Sequence, residues 1–199
     1  MSKIENIRPT EMSLAEMEKL LNDEFSCIRC VKKDVHIIML PSFIGNELNG
    51  VKAVLDDWKN RYKKQVNGIV IGYKNITFSQ PQGIIISDQP CIHQDVIVDF
   101  YVLQPSVGAI LQGTINRISE THIGCLVHGG INASITLTHP HPKKLNRYAI
   151  LGKNLLFEIT GVDTRPRVIK IHGTITKQCM KLMKKGRKKE NNLNSDLDE

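Results

Sequence analysis

The spacing of apolar residues changes several times along the chain, and each change marks an element. In residues 11–24, Met12, Leu14, Met17, Leu20 and Leu21 recur at helical spacing with Glu between them, which predicts a short amphipathic helix. It reads as a packed or frayed end segment, with a partner-binding arm as the alternative. Residues 26–40 read as a strand, because the apolar run Val35-His36-Ile37-Ile38-Met39-Leu40 stops at Pro41. The stretch Pro41 to Asn46 reads as a loop. Asn46, or alternatively Asn49, suits the N-cap of a helix running to Lys64. Leu48, Val51, Val54, Leu55, Trp58 and Tyr62 form its apolar stripe, and Gly50 weakens its first turn. After Asn67-Gly68 come three predicted strands, Ile69–Phe78, Gly83–Ser87 and Val96–Leu103, rich in β-branched and aromatic residues. The last is apolar at most positions, as expected of a strand covered on both faces.

At Pro105-Ser106 the pattern shortens. Ala109–Ile118, His122–His128, Asn132–Leu137, Asn154–Val162 and Val168–His172 read as closely spaced strands, with Gly108, Gly113, Gly124, Gly129, Gly130, Gly152 and Gly161 at bends. Five short strands in so little chain predict a small closed barrel, most often an OB-fold. The spacer Thr138–Leu151, with His139 and His141, falls where an OB-fold carries its long connection. The expected fold class is therefore α+β: an N-terminal helix-on-antiparallel-sheet domain followed by an all-β OB-fold barrel. The expected divisions are an arm (1–25), the sheet domain (26–105), the barrel (106–176) and a tail (177–199). The tail opens like a helix, but it lacks apolar residues beyond Gly186 apart from Leu193 and Leu197, and it is expected to lose order there.

Composition narrows the class. The 199 residues carry 27 Lys+Arg against 20 Asp+Glu, a formal charge of +7. The excess is local. Residues 106–176 hold eight bases and three acids, and the tail holds seven bases, all before its four acids. Residues 1–24 are acidic. Such a field favours polyanions, nucleic acid among them. No apolar run approaches the ~18 residues of a membrane span, and the charged N-terminal stretch lacks a signal-peptide core. Five scattered cysteines do not read as a disulfide framework, so the sequons at Asn75 and Asn132 are expected to be silent.

Candidate chemistry is sparse. Cys27-Ile-Arg-Cys30 has metal-ligand spacing but no second pair. His36 offers one further ligand, and Cys91 with His93 a remote one, so two strand cysteines with no metal is the preferred reading. The seven histidines fall in no HExxH, nucleophile-elbow or acid-pair context, and Gly129-Gly130 lacks a phosphate-loop setting. No catalytic residue and no cofactor is assigned. The candidate RNA- or anion-binding residues are Arg117, Lys143, Lys144, Arg147, Lys153, Arg165, Arg167 and Lys170. OB barrels add aromatic faces for base stacking, but residues 106–176 hold only Tyr148 and Phe157. His122 and His128 are the substitutes, so weak, salt-sensitive binding is expected. Lys181–Lys189 has the composition of a nuclear-import signal, or of a nonspecific basic tail.

These features together resemble a known family. Leu40-Pro-Ser-Phe-Ile-Gly-Asn-Glu-Leu48 leads into the helix. Phe100-Tyr-Val-Leu-Gln-Pro-Ser-Val-Gly108 is followed by His122-Ile-Gly-Cys-Leu-Val-His-Gly129 and Asn132-Ala-Ser-Ile135. Gly72-Tyr-Lys-Asn-Ile76 and Gln89-Pro-Cys-Ile-His93 agree. Over residues 26–175 the chain resembles the stalk subunits of multisubunit RNA polymerases. That family takes in the seventh subunit of polymerase II and its archaeal counterpart, and the likeness is to the polymerase I type. The resemblance implies a noncatalytic role in ribosomal RNA gene transcription, in the nucleus and nucleolus. The first domain would be the tip that docks on the polymerase core, with Pro41, Ser42, Phe43, Ile44, Gly45 and Asn46 as the contact. The implied partners are the large polymerase I subunits, a smaller stalk subunit, the polymerase I initiation factor and nascent RNA. Ile123 and Leu126 stand where RNA-binding barrels of the family are expected to carry aromatics. The alternatives are a free-standing OB-fold RNA-binding protein or the stalk subunit of another polymerase.

Overall fold

The computed structural model describes residues 12–137, 148–164 and 169–195, with side chains as far as Gly186. The chain divides into two compact units, one formed by 12–23 with 27–104, the other including 24–26 and everything from Pro105 onward. No described helix is long and apolar enough to cross a membrane.

The first unit contains α1 (Leu14–Leu21), β1 (Ile28–Met39), α2 (Glu47–Trp58), β2 (Tyr62–Lys63), β3 (Gly68–Phe78) and β4 (Ile92–Leu103). The strands form an antiparallel sheet in the order β1-β4-β3-β2. Alternation within β4 sorts its residues to two faces. Val96, Val98, Phe100 and Val102 point to α2 and pack with Val51, Leu55 and Trp58. Trp58 stacks on Phe100 with ring centroids 6.0 Å apart, and the Lys63 ammonium lies 4.4 Å above the indole. On the opposite face α1 is docked rather than frayed. Met17 is buried, and a side chain at Gly72 would collide with its sulfur at 2.3 Å. Lys74 Nζ reaches Glu18 Oε1 at 3.0 Å, and the Tyr101 hydroxyl donates to the same oxygen. Ser13 and Glu16 close a capping box at the start of α1.

Several expectations change here. The helix predicted to reach Lys64 stops at Trp58, because Asn60 turns left-handed (φ 58°) and its N–H pairs with the Val70 carbonyl, drawing the chain into the sheet edge as β2. Tyr62 is thus a strand residue, and Leu48 is exposed, so the working stripe is Val51, Val54, Leu55 and Trp58. Gly50 is a packing requirement: a Cβ there would meet Met39 Sδ and Phe43 Cγ at 2.8 Å. Gly83–Ser87 is no strand. A single bridge joins Ile84 to His93, and Ile84, Ile85 and Ile86 all face solvent.

The second unit holds β5 (Ile110–Ile118), β6 (His122–Val127), β7 (Ile131–Thr136), β8 (Asn154–Asp163) and β9 (Lys170–Thr174), closed in the order β5-β6-β7-β9-β8. Only β7 and β9 run parallel, so the strand order and sense are those of an OB-fold. Leu111, Ile115, Ile123, Val127, Ile135, Leu155, Phe157 and Ile171 fill the interior. Gly113 lies within β5, not at a bend, where a Cβ would crowd Cys125 Cβ at 3.0 Å; Gly173 makes room for the ring of Phe157, where a Cβ would sit 2.4 Å from Phe157 Cδ2. Gly124 also lies within a strand, and Gly161 marks a bulge in β8. The tail departs from expectation too: α3 runs Lys177–Ser195, past Gly186, because Lys, Arg, Glu, Met and Leu favour the helical backbone whether or not they pack.

Replacing Gly50 with Ala is expected to destabilise the first unit by about 1–3 kcal/mol through overpacking, although Ala favours helix by about 1 kcal/mol. Urea unfolding followed by Trp58 emission measures it, and an unchanged or raised midpoint would refute the packing role.

Candidate docking loop and basic barrel face

After β1, Pro41–Phe43 forms a single 3-10 turn, with Phe43 N–H bonded to the Leu40 carbonyl and Ile44 N–H to that of Pro41. Phe43 is half-buried against the α2 core and anchors the loop. Ile44 is 66% exposed and is flanked by exposed Leu40 and Leu48. Gly45 takes φ 77°, which favours glycine. Asn46 precedes the helix, but its side chain does not cap a backbone N–H; its Oδ1 accepts from Asn49 Nδ2 at 2.8 Å. Glu47 ties the loop back instead: its carboxylate accepts the Gly45 N–H at 2.8 Å. The bonds from its own N–H and from Gly45 hold the Glu47 carboxyl below its ordinary value of 4.5. The six residues expected to form a contact are therefore one pinned loop, with an apolar crest at Ile44.

The basic candidates are placed less completely. Arg117 lies on β5 opposite Gly124, and Lys170 on β9 opposite Asn132. Both are exposed, as is Lys153. Lys143, Lys144, Arg147, Arg165 and Arg167 lie outside the described residues, as do His139 and His141. The strand registers place Thr114, Leu126, Asn132 and Lys170 in one row on the outer barrel face. Arg117, Gly124, Ser134 and His172 form the next row. Ile123 points into the core instead, so only Leu126 of the two expected stacking positions faces outward. His128 is partly buried with Nε2 2.8 Å from the Ser26 carbonyl, so it is not available to stack, while His122 remains exposed.

Burial raises the Cys27 and Cys30 thiols, and among the described residues no group of three or more His, Cys, Asp or Glu is placed to hold a metal ion. Cys125 is sealed in the barrel, where loss of solvation pushes it up to about 12. A group that sequence reading left dispersed is assembled on the outer sheet face: His36, His93 and Asp95 form a hydrogen-bonded string. The pairing of β1 with β4 creates it, and only the i, i+2 spacing of His93 and Asp95 hinted at it.

Comparison with known proteins decides the family. The chain is 34% identical to the human DNA-directed RNA polymerase I subunit RPA43 over 151 residues, 73% of this chain and 44% of that protein. It is 30% identical to the subunit rpa43 of Schizosaccharomyces pombe over 159 residues, 71% of this chain and 92% of the yeast protein. The chain belongs to the RPA43 family of RNA polymerase I subunits. It spans less than half the length of the human relative and of the mouse one, of which the match covers 37%. No family model matches the sequence.

The Glu47 bond sets a pH dependence for the loop. A carboxyl held below its ordinary value contributes stability above 4.5 and loses it as the pH falls through the lowered value. The Gly45 amide resonance is expected to titrate with a midpoint below 4.5, and Glu47→Gln to abolish the step. A Gly45 resonance that keeps the same step in the Gln variant would refute the pairing.

Proposed function

We propose that the chain is a noncatalytic stalk subunit of RNA polymerase I, which acts in the nucleus and nucleolus on ribosomal RNA gene transcription. The observation that carries this reading is its match to nearly the whole length of the fission-yeast polymerase I subunit. In this reading the sheet unit is the tip. The loop Pro41–Asn46 docks on the large polymerase subunits, with Ile44, Leu40 and Leu48 burying apolar surface on contact. The smaller stalk subunit and the polymerase I initiation factor are the further protein partners.

The barrel contributes electrostatics more than recognition. Arg117 and Lys170 supply charge, while the rows beside them carry Gly124, Ser134, Asn132 and Thr114. No Phe, Tyr or Trp stands in those rows. Phosphate contacts add affinity without sequence preference, whereas stacking adds about 1–3 kcal/mol per base. Nascent RNA is therefore held weakly and without sequence preference.

Two measurements test these roles. Ile44→Asp is expected to abolish co-purification with the large polymerase I subunits while changing stability by no more than about 0.5 kcal/mol, as befits an exposed side chain. Retained co-purification would exclude the loop. Recovery of RNA alone from the wild-type chain would favour a free-standing RNA-binding protein. Arg117→Ala and Lys170→Ala are each expected to lower the slope of log affinity against log salt by about 0.7 for a single-stranded RNA. Unchanged slopes would place the RNA contact elsewhere.

A further inference from the structure

Neither the docking loop nor the barrel uses the polar string on the outer face of the sheet. The β1–β4 register sets His36 opposite Asp95 and Ile38 opposite His93. His36 Nδ1 lies 2.7 Å from Asp95 Oδ1, and His36 Nε2 lies 2.9 Å from His93 Nδ1. His93 Nε2 in turn lies 3.0 Å from Gln89 Oε1 and 3.4 Å from Cys91 Sγ. A thiol, two imidazoles and a carboxylate thus stand in hydrogen-bond sequence.

The backbone fixes this arrangement. Ile84 and His93 exchange two hydrogen bonds of 2.9 and 2.8 Å, and Ser79 N–H bonds to the Asp95 carbonyl. The buried side chain of Gln94 donates to the Gln80 carbonyl at 3.0 Å. Cys91 N–H turns back on the Gln89 carbonyl at 2.8 Å, which brings both side chains to the same nitrogen of His93. Segment 79–91 is therefore tied to β4 on both sides of the string.

Proton accounting gives the string its chemistry. The Asp95 carboxylate only accepts, so His36 Nδ1 donates to it. Gln89 Oε1 also only accepts, so His93 Nε2 donates there. The two rings meet through His36 Nε2 and His93 Nδ1. His93 Nε2 also faces Cys91 Sγ at 3.4 Å, so its N–H can stabilise negative charge on the sulfur. Asp34 on β1 shares the sheet face of His36, and Asp88 lies in the same loop as Cys91.

We propose that Cys91 is a reactive nucleophile, set beside the His93–His36–Asp95 string, and a modification site for small soft electrophiles such as hydrogen peroxide. Its sulfur attacks one peroxide oxygen and the O–O bond breaks. The thiol and H2O2 become Cys–SOH and water, with sulfur oxidised by two electrons and peroxide reduced. The thiol proton leaves on the departing hydroxide, and the His93 N–H, 3.4 Å from the sulfur, stabilises the charge the sulfur carries once that proton is lost. Cys91 is half-exposed, which admits a molecule of that size.

Cys30 provides the internal comparison, since it is the more exposed thiol and burial raises it from its ordinary value. The full-length chain is treated with limiting iodoacetamide between pH 5.5 and 9 in the presence of a chelator, and each cysteine is followed by peptide mass spectrometry. At pH 6.5 Cys91 is expected to react at least about tenfold faster than Cys30. His93→Gln is expected to bring the two rates within about twofold. Asp95→Asn replaces an exposed carboxylate and should slow Cys91 in the same direction, so it decides the matter if Trp58 emission shows the His93 variant unfolded. Dimedone trapping after dilute peroxide should mark Cys91 before Cys30. Equal rates at pH 6.5, or a Cys91 rate untouched by loss of the Asp95 charge and of His93, would overturn the proposal.

Discussion

Strand β4 bonds to a neighbour on each side and is covered on both faces over its last four residues, and the first unit is organised around it. Its residues Phe100, Tyr101, Val102 and Leu103 are all fully buried. One face is closed by α2 through Val51, Leu55 and Trp58, the other in part by α1 through Met17. Burying each of these large side chains contributes roughly 1.5–3 kcal/mol. The functional surfaces hang from this strand. The loop before α2 is placed by the packing of Phe43 and Met39 against Gly50. The His93–Asp95 pair is placed by the strand's outward positions, where α1 no longer covers it.

Much of this was legible in the chain. Residues such as Val96–Leu103 announce a doubly covered strand because so few positions are polar, and the barrel strands show themselves through short apolar runs between turn residues. What escaped was long-range. Leu48 and Tyr62 have helical spacing, yet the left-handed turn at Asn60 removes Tyr62 from the helix, and no local pattern forecasts a turn fixed by Val70. Ile84-Ile85-Ile86 has every strand propensity but meets one partner residue. The loop before α2 could be outlined from Pro41 and Asn46, whereas the carboxylate that secures Gly45 proved to be Glu47. The histidine string needed the register of two strands far apart in the chain.

Charge and shape differ between the two units. The sheet unit exposes apolar crests next to pinned backbone, a combination that suits contact with protein. The barrel exposes cations among small polar side chains, which suits a diffuse anionic partner and gives little purchase to a base. Apolar crests and exposed cations are thereby carried by separate units rather than blended on one surface.

Phe157 has a consequence for how the barrel can vary. Its ring lies against Gly173 on the neighbouring strand. A larger residue at Gly173 is excluded while the ring is present, and a smaller one at 157 would leave the glycine facing an unfilled void. The two positions therefore form a single unit of change: substitution at one becomes neutral only in the company of the other. Side chains fill the described interior in this way, so variation in what such a barrel binds falls on its outer surface.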